Sequence, residues 1–160
     1  MRRNHNVSAG LDEVDVLILK ALVENARLPI KSLASRIGLS SPSTAERIRR
    51  LEEAGVIEGY SARLNPGAVG LPLGVLMRIR PMPGELSRVA KLLAKKSSIV
   101  ECDRVTGDDC FVARAFVQTV DELEKLIDDL LPYATTNTAI IQSSPVKRRV
   151  PGFPPLGSKP

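Results

Sequence analysis

The first third of the chain carries hydrophobic residues at helical spacing. In LDEVDVLILKALVEN the apolar positions recur three and four residues apart, while Asp12 and Glu13 stand in the first turn, where the helix dipole favours negative charge. This pattern predicts a helix that buries one face, formed by Leu11, Val14, Leu17, Ile18, Ala21 and Leu22.

Two further helices are predicted on either side of a short join. In PIKSLASRIG, Pro29 is placed to open a helix and Gly38 to end it. The next helix starts after only the letters LSS, with Ser40 or Ser41 as its cap beside Pro42. Helices joined by about three residues must cross steeply, which predicts a helix-turn-helix.

The third helix gathers arginines on the side away from its apolar residues. The positions expected to point inward are Ala45, Ile48, Leu51 and Ala54. The opposite face then holds Ser43, Arg47 and Arg50, with Thr44 beside it. A run of mixed charge is often only a solvated surface, so the flanking sequence has to indicate whether this face binds a partner.

After Gly55, the segment VIEGYSARL predicts a small two-stranded hairpin. Its apolar residues flank Gly59, and a hairpin behind a helix-turn-helix is a wing. The turn residues of NPGAVG follow, which places a domain boundary between Asn65 and Gly70.

The remainder alternates strand and helix patterns. LGVLMRIRP, SIVECDRVT, CFVARAFV and TTNTAIIQSS predict strands, while ELSRVAKLLAKK and VDELEKLIDDLL predict helices. The order is that of a ferredoxin-like βαββαβ unit, so the fold class is α+β. Two helices cover only one sheet face, and self-association through the other is expected from strand residues such as Val75, Met77, Val112 and Ile140.

The distribution of charge along the chain is compatible with a polyanionic partner. The formal charge is +5, and residues 145–160 hold four cations and no acid. That Pro-rich end predicts an extended tail, which either attracts DNA without sequence preference or is simply solvated. The sequence shows neither a signal peptide nor a membrane-spanning run, so a cytoplasmic location without membrane contact is expected.

Several motifs together resemble the Lrp/AsnC (leucine-responsive, feast/famine) family of transcriptional regulators. They are LDEVDVLILKALVENARLPIKSLASRIGLS, ERIRRLEEAGVIEGYSARLNP and VTGDDCF, and the likeness covers about Leu11 to Pro145. It implies a sequence-specific regulator of double-stranded DNA that responds to a small metabolite such as an amino acid. Dimers and octamers are also implied.

The predicted domains follow from these patterns and from the resemblance. They are a flexible basic leader (1–10), a winged helix-turn-helix DNA-binding domain (11–65), a hinge (66–70), a ferredoxin-like effector-binding and oligomerisation domain (71–145) and a basic tail (146–160).

Hydroxyl and guanidinium groups of the third helix are the candidate DNA contacts. Arginine can bind guanine bidentately in the major groove, and serine or threonine can bond to phosphates or bases. The residues expected in these roles are Ser41, Ser43, Thr44, Arg47 and Arg50, with Arg49 on the flank toward phosphate. Arg63 on the predicted wing is either a further phosphate contact or a solvated strand residue.

The turn after the second predicted strand is the candidate effector site that the resemblance implies. It comprises Thr106, Gly107, Asp108 and Asp109, whose backbone amides and carboxylate could hold a zwitterion. An ordinary tight hairpin would also use these residue types. Thr136 and Thr138 are weaker candidates for the same site. Many family members have an acidic residue where this chain has Cys110, which leaves the identity of the effector open.

Two rival hypotheses remain at the level of sequence. A nucleoid-organising protein would bind DNA with little sequence preference. A thiol enzyme would use Cys102 or Cys110, with Arg104 lowering a thiol pKa, but the chain has no catalytic or metal constellation and its single histidine, His5, lies in the leader. We therefore expect no enzyme activity, no cofactor and no metal.

Overall fold

The computed structural model describes residues 10–153 of the chain. The described residues form two compact units, one made of 10–62 together with 148–153 and the other of Arg63–Lys147. The limits of the individual domains stay predictions, although the division after Ala62 falls near the predicted hinge. His5 and residues 154–160 lie outside the described residues.

The first unit is built from the three predicted helices, α1 (Glu13–Glu24), α2 (Ile30–Ile37) and α3 (Ser41–Glu53). A reciprocal capping box between Asp12 and Asp15 starts α1. Gly38 ends α2 in the left-handed region at φ +73°, and the Ser40 side chain then caps α3 by accepting a hydrogen bond from the Ser43 backbone N–H at 3.2 Å. The core of the unit consists of Ile18, Leu19, Ala21, Leu33 and Leu51.

The prediction of a hairpin over VIEGYSARL was wrong. The described segment between α3 and residue 65 contains no strand. The backbone N–H groups of Val56 and Ile57 instead donate to the carbonyl of Leu51, and both side chains pack against the helical core. The apolar residues that suggested a first strand therefore close the end of α3.

The second unit confirms the ferredoxin-like prediction and the α+β class. Its elements are β1 (Leu73–Pro81), α4 (Leu86–Lys95), β2 (Ile99–Arg104), β3 (Phe111–Val117), α5 (Val120–Asp128) and β4 (Ala134–Ile140), preceded by a short 3-10 helix at Gly67–Val69. The strands form one antiparallel sheet in the order β2-β3-β1-β4.

The two faces of this sheet differ in how they are covered. Alternate residues of β1 and β3 form the buried core with α4 and α5; they include Val75, Met77, Ile79, Phe111 and Ala113. We call the other side the open face, and it carries Leu76, Arg78, Arg80, Val112, Arg114, Phe116, Asn137 and Ala139.

The composition of the open face corrects the prediction of which residues drive self-association. Val75 and Met77 are fully buried beneath the helices, and Ile140 pairs with Val75, which places it on the helix-covered side. Of the four predicted residues only Val112 lies on the open face. The expectation chose apolar residues without knowing which strand positions share a face.

Residues 145–152 of the C-terminal segment are exposed, as in a solvated tail, but the segment is not free of the rest of the chain. After β4 the chain returns to the first unit, where Phe153 is partly buried against the helical core. Among the described residues, no helix is both long enough and apolar enough to cross a membrane.

Candidate nucleic-acid interface and effector loop

The exposed side of α3 is a polar surface formed by the start of the helix and its charged residues. Ser43 is exposed, and its hydroxyl oxygen accepts a hydrogen bond from the Ser40 hydroxyl at 2.9 Å. Arg50 is exposed and makes no hydrogen bond or ion pair with any residue that the structure describes. Ser41 is half-buried in the first turn. Arg50 is therefore a cationic donor that can reach a partner without breaking an internal contact.

Arg49 is held along the surface of the same helix by two carboxylates. Its Nε and Nη2 donate to the two oxygens of Glu46 at 3.0 and 2.6 Å, and its Nη1 pairs with Glu53. The hydrogen bonds from Arg49 lower the pKa of Glu46, and these carboxylates raise the pKa of Arg49. Ion pairs between exposed side chains stabilise a protein only weakly, so a phosphate can compete for this guanidinium.

Arg47 and Thr44 were predicted on or beside the outward face, and the structure places both elsewhere. The Nη1 of Arg47 pairs with Asp12 at 2.7 Å and with Asp15 at 2.8 Å, so its guanidinium lies against α1. Thr44 is fully buried, and its hydroxyl donates to the Ser40 carbonyl at 2.9 Å. The buried stripe of α3 runs through Thr44 and Leu51, which turns Arg47 to its edge.

Arg63 is exposed in a segment without strand structure, and by packing it begins the second unit. Its position on a wing hairpin is thus not observed. A phosphate contact by Arg63 stays a prediction.

The predicted effector loop closes the hairpin between β2 and β3. The backbone N–H of Val105 donates to the Cys110 carbonyl at 3.0 Å, and Gly107 has a φ of +107°, a conformation that residues with a side chain rarely adopt. The side chain of Asp108 is 92% exposed, whereas that of Asp109 is 33% exposed. The loop therefore presents one solvated and one partly sheltered carboxylate.

Two arginines of β1 tie this loop to the open face. Arg80 Nε donates to the Asp108 carbonyl at 2.9 Å, and its Nη2 lies 3.4 Å from the Asp108 carboxylate. Arg78 Nη1 lies 3.8 Å from the Asp109 carboxylate. Across the sheet, Asn137 pairs with Arg78 and Thr135 with Arg80. Acidic, cationic and neutral polar groups thus meet at one end of the open face.

Sequence reasoning missed Arg78 and Arg80. Their spacing of two residues in MRIRP already places them on one face of a strand, and the ferredoxin-like order makes β1 the neighbour of β3. The hairpin register that brings Arg80 beside Asp108 was needed to connect them with the loop.

Thr136 and Thr138 do not join this cluster. They pair with Ile79 and Met77, respectively, and so lie on the side of the sheet that the helices cover. The Thr138 hydroxyl is buried without a hydrogen-bond partner among the described residues. The prediction failed because successive side chains of β4 point to opposite faces of the sheet, and Thr135 and Asn137 occupy the open face.

The cysteines lack the features of a reactive pair. Cys102 is exposed, but partial desolvation, reinforced by the charge of Asp103, raises the pKa of its thiol, which is opposite to the lowering that a thiol enzyme would need. Cys102 pairs with Ala113, while Cys110 lies about three residue steps, or about 10 Å, farther along the hairpin. That separation is too long for a disulfide without backbone movement. No group of possible metal ligands occurs among the described residues.

Comparison with known proteins identifies the two units. A model for winged helix-turn-helix DNA-binding matches residues 11–58, and one for the Lrp/AsnC ligand binding domain matches residues 74–151. The HTH-type transcriptional regulator LrpA of Mycobacterium tuberculosis is 32% identical over 133 residues, which cover 82% of this chain and 89% of that protein. This chain belongs to the Lrp/AsnC family of transcriptional regulators.

Two solved Lrp/AsnC structures share its fold across nearly the whole chain. The feast or famine regulatory protein of M. tuberculosis, complexed with L-methionine, superposes with a TM-score of 0.82 at 31% identity, covering 88% of this chain and 98% of that one. A transcriptional regulator from Neisseria meningitidis, in complex with L-Met, superposes with a TM-score of 0.80 at 26% sequence identity. The match covers 88% of this chain and 94% of that one. The Lrp/AsnC relatives are named as DNA-binding regulators rather than enzymes, so the thiol-enzyme hypothesis is set aside.

Proposed function

We propose that this Lrp/AsnC regulator reads its operator with the exposed side of α3. Arg50 carries the proposal, because its guanidinium is exposed and bonded to no described residue. It can bind a guanine edge bidentately, while Ser43 bonds to a base or phosphate at the N-terminal end of the helix. Arg49 and Arg63 bind phosphate, with Arg49 exchanging its carboxylate partners for the duplex.

The test compares DNA from upstream of the protein's own gene with unrelated DNA of equal length. A bidentate contact to a base contributes about 1–3 kcal/mol of discrimination, so Arg50→Ala weakens binding to the upstream fragment about 5- to 150-fold. Lys91→Ala on α4 removes the same charge from the other unit and leaves the preference intact. If the wild-type protein binds both fragments equally, the protein is a nucleoid-organising one instead.

We also propose that the loop 106–109 and Arg78 and Arg80 together bind an amino acid. The two solved relatives described above contain L-methionine, which supports an amino-acid ligand. A zwitterion presents a carboxylate, which the arginines and the amide of Gly107 can bind, and an ammonium group, which Asp108 and Asp109 can bind. Because Arg78 and Arg80 already contact these acids, a ligand would exchange with existing ion pairs.

Calorimetric titration with L-methionine and then with each common amino acid tests this site. Asp109→Asn abolishes the binding heat, whereas Asp103→Asn, which removes a β2 carboxylate outside the loop, preserves it. Heat that survives Asp109→Asn places the ligand elsewhere. The absence of heat with every amino acid, alongside intact operator binding, leaves a DNA-binding regulator without this effector.

Finally, we propose that a second copy covers the open face, giving a dimer that can assemble further into octamers. The support is an apolar strip of Leu76, Val112 and Phe116 that α4 and α5 leave uncovered. Exposed apolar sheet surface is costly in water, so a partner sheet stabilises it. A regulator of chromosomal genes acts where the DNA is, and we place it in the cytoplasm.

A further inference from the structure

The C-terminal segment is part of the DNA-binding unit. The chain leaves this unit after Ala62 and returns to it at Arg148. Phe153 then packs against the cluster formed by α1, α2 and α3, and it is partly buried there. The segment from Gln142 to Phe153 has neither helix nor strand structure, and the aromatic ring is a contact that holds its last described residues on the first unit.

An aromatic anchor suits a unit of this size. Three short helices enclose a small core, and small domains bury a lower fraction of their surface than large ones. A phenylalanine offers a large apolar area for little conformational cost, so its packing keeps the segment on the helices rather than in free solution.

The anchored segment brings positive charge to the surface of the unit. Arg148 and Arg149 are exposed, and residues 142–153 include three cations and no acid. Both arginines stand within five residues of Phe153, which limits their distance from the anchor to about 18 Å. Arg149 makes no hydrogen bond or ion pair with the rest of the described chain. The one large polyanion that this unit binds is DNA.

We propose that residues 148–153 form a second DNA-contacting element, in which Phe153 holds the segment on the helix-turn-helix unit and Arg148 and Arg149 bind phosphates of the duplex. The proposal rests on the DNA-binding function described above. The contacts add affinity without sequence preference, because phosphates are the same in every sequence.

Salt dependence of DNA affinity tests the two arginines in the full-length protein. Each lost phosphate contact reduces the magnitude of the negative slope of log affinity against log salt by about 0.9. The double variant Arg148→Ala with Arg149→Ala therefore reduces that magnitude by about 1.8. Wild-type affinity then falls about 12-fold more than that of the variant between 50 and 200 mM salt. The ratio of operator to unrelated DNA stays the same. Lys91→Ala with Lys95→Ala removes equal charge from α4 and preserves the slope.

Phe153→Ala tests the anchor without changing any charge. Release of the segment lowers the slope as the arginine variant does, whereas Phe153→Leu, which keeps an apolar side chain, retains it; circular dichroism establishes that each variant is folded at the assay temperature. An unchanged slope in the arginine variant overturns the proposal. If the arginine variant reduces the salt dependence but Phe153→Ala does not, the proposed role of Phe153 as the anchor is contradicted. Wild-type protein that binds no DNA, or Arg50→Ala that keeps operator preference, counts against the proposed function instead.

Discussion

Arg47 links the first turn of α1 to the middle of α3. Its guanidinium bridges Asp12 and Asp15, the two members of the capping box. The side chain of Asp15 is only 14% exposed, so this network is partly shielded from solvent. A residue type that is common at DNA interfaces here ties α3, which carries the proposed interface, to α1.

Arg47→Ala is expected to lower stability rather than to remove a DNA contact. Hydrogen bonds between charged groups contribute about 1.5–3 kcal/mol when shielded, and exposure of Asp12 reduces the expected loss to about 1 kcal/mol. Urea denaturation followed by circular dichroism measures it, with Arg50→Ala as a control that keeps wild-type stability. Undiminished stability together with lost operator binding would instead return Arg47 to the DNA-contacting face.

The same network makes stability dependent on pH. The backbone amide of Asp15, followed by the Arg47 side chain, lowers the pKa of Asp12 below its ordinary value of 3.8. A lowered carboxyl pKa contributes stability that is present above the unfolded pKa and is lost as pH falls through the folded pKa. Urea midpoints at pH 5 and pH 3 should therefore differ less for Asp12→Asn than for the wild type. Equal differences would mean that Asp12 has no such role.

At the scale of elements, the turn between α2 and α3 depends on Gly38. Its φ of +73° disfavours any residue with a Cβ, yet a Cβ at this position would meet no atom within 4 Å. Gly38→Ala therefore incurs only the backbone strain of about 1–2 kcal/mol. Thermal unfolding measures it against Gly67→Ala, where φ is not positive. Equal stability of both variants would show that the turn relaxes to another conformation.

The sequence predicted the positions of helices and strands better than it predicted which face of each element is buried. Helical spacing, caps and turn residues are local signals, and they located the three helices and the βαββαβ order. On α3 the predicted inward face comprised Ala45, Ile48, Leu51 and Ala54. The structure buries Thr44 as well, and its hydroxyl is satisfied by the Ser40 carbonyl. That small rotation of the buried face moved Arg47 from the outward face to α1.

Contacts between distant segments were beyond such reasoning. The pairing of Arg80 with Asp108 depends on the β1 and β3 register, and the packing of Phe153 depends on a chain that returns across 85 residues. Neither leaves a periodic trace in the sequence. The candidate effector site was therefore predicted as a loop without its arginines, and the tail without its anchor.

At the scale of the whole molecule, the open face determines the expected assembly. Phe116 lies on it beside Gly74, where a Cβ would approach the Phe116 ring to 3.0 Å, so glycine leaves room for the ring. A symmetric dimer places the same surface of both copies in contact, which doubles the effect of one substitution.

Phe116→Glu is expected to prevent the proposed dimer, because a carboxylate would be buried twice without a partner. Sedimentation velocity over a concentration series measures the shift toward monomer. Val120→Glu makes a comparable change at an exposed residue of α5, away from the open face, and should preserve the dimer. Dissociation by Val120→Glu alone would move the interface to the helices.

The return of the chain to its first unit also fixes an order of events during translation. Residues 63–147 are synthesised before Phe153, so α1, α2 and α3 gain the packing of Phe153 only after the whole second unit has left the ribosome. A nascent chain, or one truncated before Phe153, carries α1, α2 and α3 without this aromatic contact. Under the proposed role of residues 148–153, full DNA affinity is therefore reserved for molecules that already carry the ligand-binding unit.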